Sequence, residues 1–154
     1  MTEKLAENLQ KYAEEVAGTV LEVFKSNILW TPIILKCCPY LDITLLQVTE
    51  TNAFNTGVDI VYGSPTFIPF KNGYFNVVLT ALVVKSVDEK INDMLGEFNR
   101  ILRDHGMLIL VENAIGEGEL GGWLEKLDKT GFATYDWTKV MAKEGKIFII
   151  QAFK

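Results

Sequence analysis

An open, doubly wound α/β sheet is the fold class this sequence predicts, and three observations carry the prediction. Short apolar or β-branched runs alternate along the chain with segments of helical period. The runs Phe75 to Ala81 and Met107 to Val111 are almost wholly apolar, as suits strands covered on both faces of a parallel sheet. The chain then closes on two strands joined by Lys143-Glu144-Gly145-Lys146, a terminal hairpin rather than another crossover unit.

The elements follow in order. Residues 3 to 17 place Leu5, Leu9, Tyr12, Ala13 and Val16 on one helical face. Glu7 and Lys11 lie one turn apart on the other face, and Gly18 marks the stop. Thr19 to Phe24 is the first strand. Ile28 to Tyr40 has the length of a helix, but Pro32 must lie near its start or kink it. Ile43 to Val48, Val58 to Tyr62 and Phe75 to Ala81 are the next three strands. Ser86 and Glu89 resemble a capping box opening a helix over 88 to 102. Ile91, Met94, Leu95, Phe98, Ile101 and Leu102 recur there at helical spacing. Met107 to Val111 is the fifth strand, and Gly122 to Thr130 a helix with Trp123, Leu124 and Leu127 inside. Strands around Thr134 to Lys139 and over Ile147 to Phe153 end the chain. The expected organisation is one domain over 1 to 154, with a helix at 1 to 17 and the sheet core at 18 to 154.

Composition narrows the function classes. With 49% hydrophobic and 23% charged residues over 154 positions, the chain can bury a real core. Its net charge of -5 repels phosphate, which argues against nucleic acid as a partner. The charged, amphipathic start does not read as a signal peptide, and no apolar run reaches the roughly 20 residues of a membrane span. A cytoplasmic protein with no membrane partner is the expectation. Cys37 and Cys38 are neighbours, a poor pair for a disulfide and too few thiolates for zinc, so no metal site is expected. His105 is the sole histidine and lies in a polar turn, which leaves a Ser-His or Cys-His mechanism without support.

The stretch from Gly57 to Gly106 carries a family likeness. Ile68-Pro69-Phe70-Lys71-Asn72-Gly73-Tyr74-Phe75-Asn76-Val77-Val78 resembles the family pattern LPFPDGSFDVV, with Asn76 in place of Asp. Glu97 to Gly106 resembles EIARVLKPGG, with His105 in place of a glycine. Both patterns belong to class I S-adenosylmethionine (SAM)-dependent methyltransferases of the small, ubiquinone-biosynthesis-like type 11 kind, and the resemblance extends over about 18 to 154. It implies a Rossmann-like methyltransferase sheet of seven strands, order 3-2-1-4-5-7-6, with the last strand antiparallel.

The cofactor motifs of that family are eroded here. Where the family reads like VLDVGCGTG, Thr19 to Asn27 reads TVLEVFKSN. Glu22 keeps the acid, but Phe24, Lys25, Ser26 and Asn27 stand at the loop where glycine permits close backbone approach. The resemblance implies that Phe24 projects into the space of the methionine moiety. Gln47 stands at the ribose-binding acid, with Glu50 a replacement three residues on, and Ser64 stands at the adenine-contacting Asp. Glu22, Phe24, Asn27, Gln47, Ser64 and Thr80 are thus the expected vestigial cleft, with no catalytic residue among them.

Two functional expectations follow from the resemblance and its losses. The leading one is a degenerate methyltransferase-fold protein with no cofactor, acting as a binding, scaffolding or regulatory subunit. The alternative is an active SAM-dependent methyltransferase with an atypical cofactor loop, acting on a small molecule or protein. No substrate motif decides between them: Thr80-Ala81-Leu82-Val83 stands where amino-methylating enzymes carry Asn-Pro-Pro-Tyr, and Lys85 reads as a solvated lysine. Gly116-Glu117-Gly118-Glu119-Leu120-Gly121 matches a dinucleotide loop formally, but its glutamates would face a pyrophosphate, so it reads as helix entry. The apolar stretch Ile28 to Leu41 reads either as core or as the surface of a homodimer or protein partner.

Overall fold

A computed structural model describes residues 3–25, 30–48, 57–84, 87–113, 120–143 and 145–154. Ser86 of the expected capping box, Lys85, Glu50, Asn27 and most of the 116–121 glycine pattern lie outside the described residues. The element order is α1 (Glu3–Ala13), β1 (Thr19–Phe24), α2 (Thr31–Cys37), β2 (Asp42–Gln47), β3 (Asp59–Tyr62), β4 (Phe75–Ala81), α3 (Ile91–Ile101), β5 (Leu102–Asn113), α4 (Leu120–Lys129), β6 (Ala133–Ala142) and β7 (Gly145–Phe153). The seven strands form one sheet in the order β3-β2-β1-β4-β5-β7-β6. β1 runs parallel to β2 and β4, β2 to β3, and β4 to β5. β7 runs antiparallel between β5 and β6, which leaves β6 at the edge. The sheet order and the antiparallel last strand agree with the sequence expectation.

Strand parity divides the core into two layers. Leu21, Val23, Val78, Leu108 and Leu110 face α3 and α4, meeting Met94, Phe98, Trp123 and Leu127. Val20, Phe24, Leu45, Leu79 and Ile109 face α1 and α2, meeting Leu5, Leu9, Trp30 and Ile34. The helical stripes read from spacing are the buried faces, except that Leu102 opens β5 and Leu124 is half-buried.

The run Ile28 to Leu41 forms a shorter helix than its length suggests. Pro32 lies in the first turn of α2, where a missing N–H costs nothing. The helix ends at Cys37, and Cys38, which precedes Pro39, takes an extended φ of -140°. Trp30 and Ile34 are fully buried, and Ile33 and Leu35 pack partly buried against the same layer. Of the two readings of this stretch, the core reading holds at Trp30 and Ile34, whose apolar bulk completes the protein's own core. Tyr40, 98% exposed, is the open aromatic among its described residues.

Two family positions that changed residue have structural accounts. Asn76 accepts hydrogen bonds from the Thr19 backbone N–H at 3.1 Å and the Thr19 hydroxyl at 2.9 Å, tying β4 to the start of β1. Gly18 beside it has φ +78°, and any Cβ there would run into the Asn76 side chain. His105 takes the left-handed φ of 61° that a glycine would adopt freely. It sits in an irregularity of β5, where Phe75 pairs with Leu102 but Val77 with Met107.

Candidate functional site

In a doubly wound sheet the binding crevice opens beyond the carboxyl ends of the strands, where the strand order reverses. Here that point lies between β1 and β4. The last paired rung runs Tyr62–Gln47–Phe24–Ala81 across β3, β2, β1 and β4. Three of the expected cleft positions, Gln47, Phe24 and Thr80, therefore sit on or beside one rung. Ser64 follows β3 on the same edge, exposed, with its hydroxyl 2.8 Å from that of Thr66.

The side of the strand on which each residue lies changes its role. Phe24 has the parity of Val20, so its ring faces the α1/α2 layer, and it is fully buried there. The ring thus has a place in that layer of the core. Glu22 is also fully buried. Its carboxylate accepts the Trp30 N–H at 2.9 Å, the Thr31 N–H at 2.8 Å and the Thr31 hydroxyl at 2.6 Å. The acid thus fastens the start of α2 to β1 instead of facing a ligand. Thr80 is likewise engaged. Its carbonyl accepts the Trp30 indole N–H at 2.9 Å, and its hydroxyl accepts the Val111 N–H at 3.0 Å.

The sequence reading missed Trp30 and Glu112. Trp30 bridges the start of α2 to the end of β4, and the signal available was a tryptophan two residues before the proline of an otherwise aliphatic run. Glu112 closes the apolar run of β5 and is fully buried. Its carboxyl accepts the Val83 N–H at 2.7 Å and the Val84 N–H at 3.3 Å. Burial pushes this carboxyl up from 4.5 to about 8, against the opposing pull of the two amides. Leu82, between β4 and these amides, has a left-handed φ of 56° and donates to the Val111 carbonyl at 3.0 Å. A leucine in that region is an uncommon, strained residue held by its surroundings. Among the described residues no group of three or more His, Cys, Asp or Glu side chains is placed to hold a metal ion.

A mostly parallel sheet in the order β3-β2-β1-β4-β5-β7-β6, with the seventh strand antiparallel beside β5, matches the Rossmann-like methyltransferase fold. Comparisons with known proteins agree. The family described as "Methyltransferase domain" matches residues 39–110. Among solved structures, 1,6-didemethyltoxoflavin-N1-methyltransferase of Burkholderia thailandensis, with bound 1,6-didemethyltoxoflavin and S-adenosylhomocysteine, superposes with a TM-score of 0.78 at 12% identity. The match covers 99% of this chain and 77% of that one. A SAM-dependent methyltransferase from Aquifex aeolicus gives 0.73 at 13% identity, covering 97% and 89%. One from Mesorhizobium loti gives 0.72 at 12% identity, covering 96% of each chain. No curated protein matches by sequence. At such identities the structural likeness speaks for the fold. With the family match, it shows that the chain resembles class I SAM-dependent methyltransferases, as its own motifs indicated. It also corrects the expectation of a protein without cofactor, because the family and these neighbours point to SAM. No helix among the described residues is long and apolar enough to cross a membrane.

Proposed function

We propose that this chain is a SAM-dependent methyltransferase with an atypical cofactor loop, acting on a small molecule or a protein. The observation that carries the reading is the position of Phe24. The case for a non-catalytic subunit combined lost glycines with a bulky ring in the methionine space. The packing of the ring in the α1/α2 layer of the core weighs against the steric half of that case.

The residues at the strand ends suit a nucleoside. Gln47, at the end of β2, is fully buried like Glu22 and Thr80, and its amide, which can both donate and accept, would meet the ribose hydroxyls from the floor of the crevice. Ser64, exposed after β3, offers a hydroxyl toward the adenine end. Glu22 and Thr80 shape the crevice from behind, since both are buried and bonded within the protein. When bound, the cofactor would supply an electrophilic methyl group on a sulfonium. The chain's task is to hold the acceptor in line with that methyl and keep water away.

Replacing the family's ribose acid by Gln47 gives up a charge-assisted hydrogen bond worth about 1.5–3 kcal/mol, so affinity should fall roughly ten- to a hundredfold. Titration calorimetry with SAM and S-adenosylhomocysteine tests the reading. Wild-type protein should give saturable binding, Gln47→Glu should tighten it at least about tenfold by restoring the acid, and Gln47→Ala should weaken it. Absence of saturable heat for both ligands, in wild type and Gln47→Glu alike, would refute it.

A further inference from the structure

We propose that Glu112 is a positioning residue whose carboxyl sets the loop after β4, and with it one wall of the crevice. The cofactor part of this inference rests on the function proposed above; the loop part does not.

An acid in this place has no packing advantage. Glu112 is fully buried at the end of a strand whose preceding five residues are all buried and apolar. An apolar side chain would pack there without a desolvation penalty. What a carboxyl adds is two oxygens beside two successive amides, a carbonyl oxygen that accepts strongly and, while the group is protonated, a hydroxyl oxygen that accepts weakly where an apolar group accepts nothing. Val83 N–H meets Oε1 at 2.7 Å and Val84 N–H meets Oε2 at 3.3 Å. These amides follow directly on Leu82, whose left-handed backbone turns the chain out of β4. Val83 is itself fully buried, so its N–H has no recourse to water.

Glu22 makes the same arrangement on the other side of the switch point, with one oxygen each for the amides of Trp30 and Thr31. The two forks are joined through Thr80, which takes the Trp30 indole on its carbonyl and the Val111 amide on its hydroxyl. Val111 adjoins Glu112 and also accepts from Leu82. A shift of the loop at Val83 and Val84 is thereby coupled to the ends of β4 and β5 and to the start of α2. In this arrangement Glu112 acts through the loop.

Amide hydrogen exchange by NMR, with calorimetry using S-adenosylhomocysteine, tests the proposal on wild type, Glu112→Ala and Glu112→Gln. In Glu112→Ala the amides of Val83 and Val84 should exchange at least about tenfold faster relative to Val78 in β4, and ligand affinity should fall at least about fivefold. Glu112→Gln keeps one carbonyl oxygen. It should restore protection at Val83, leave Val84 fast, and recover most of the affinity. Unchanged exchange at Val83 and Val84 would overturn the proposal, as would a Glu112→Gln variant no better than Glu112→Ala, or a released loop with affinity intact. If Glu112→Ala does not fold, the contrast between Val83 and Val84 in Glu112→Gln still decides it. Failure of wild type to bind the ligand would refute the proposed function, whereas exchange at the two amides would still decide whether Glu112 holds the loop.

Discussion

Raising the pH from about 5 to about 8 should weaken this fold through one carboxyl. Glu112 is fully buried, and burial raises its pKa from 4.5 to about 8. Between those values the folded protein keeps a proton that the unfolded chain has released. Folding then takes up a proton, so stability falls as the pH rises. The contribution is fully present below the unfolded value and is lost as the pH climbs through about 8. One proton corresponds to about 1.4 kcal/mol for each pH unit, so the whole window amounts to on the order of 3–5 kcal/mol. That is a large part of the roughly 5–15 kcal/mol by which a domain is stable, so the loop over Glu112 should admit water before the whole fold gives way. The other carboxylates with resolved shifts, Glu97, Glu125 and Asp136, all move down through cationic neighbours and therefore act below this window. The assay is urea unfolding at pH 5, 6.5 and 8 for wild type and Glu112→Gln. Subtracting the two curves removes every group they share. The difference should grow with pH at up to one proton's slope. Parallel curves from pH 5 to 8 would show that Glu112 is ionised in the folded state and would refute the reasoning.

Three further outcomes can be checked by urea unfolding. Trp30→Phe leaves the buried Thr80 carbonyl without its indole donor at 2.9 Å and should cost about 1–3 kcal/mol, with Thr80→Ser unable to mimic the loss. Arg100→Ala releases the carbonyls of Ile68 and Phe70 and the Glu97 carboxylate; with the Arg100 side chain 31% exposed, about 1–3 kcal/mol is expected, and a change under about 0.5 would show that water replaces the guanidinium fully. Gly18→Ala must fit a Cβ against Asn76 at φ +78° and should cost about 1–3 kcal/mol, most of it remaining in the Gly18→Ala, Asn76→Ala double variant if backbone strain dominates and most of it disappearing if the clash does.

Much of the sheet was legible because strand runs and helical stripes report burial directly. Phe75 to Ala81 is apolar but for Asn76 and Thr80, and Met94, Leu95 and Phe98 recur on one helical face. Boundaries were less legible. β5 starts at Leu102 instead of Met107, because Arg103 to His105 look like a loop in sequence yet form an irregularity within the strand. β6 runs from Ala133 to Ala142, well beyond the expected Thr134 to Lys139, since an edge strand with exposed Tyr135, Trp137 and Met141 shows little hydrophobic alternation. At the site, positions along the strands were legible but side-chain directions were not. Phe24 was compared with a family glycine by position alone. Its parity with Val20 already placed the ring in the α1/α2 layer. Trp30 stayed open between core and interface because an aromatic among aliphatic residues signals both, and its complete burial with a hydrogen bond to Thr80 places it in the core.

The segments beyond the switch point are braced by groups bonded within the protein. Glu22 and Glu112 are two buried acids, each at or near the end of a strand, and each takes two successive amides from the segment beyond the switch point. Their burial is tolerable only because those donors are there. Glu22 gains a third donor, the Thr31 hydroxyl at 2.6 Å, whereas the second bond to Glu112 is long at 3.3 Å. The α2 side is then the firmer wall, and the β4 side is the one that yields when pH or substitution disturbs its carboxyl. A ligand that orders the crevice should reverse that imbalance, slowing exchange at Val83 and Val84 more than at Trp30 and Thr31. Equal protection at both pairs of amides would mean that the two walls move together, and that the distinction drawn from donor number and distance does not hold.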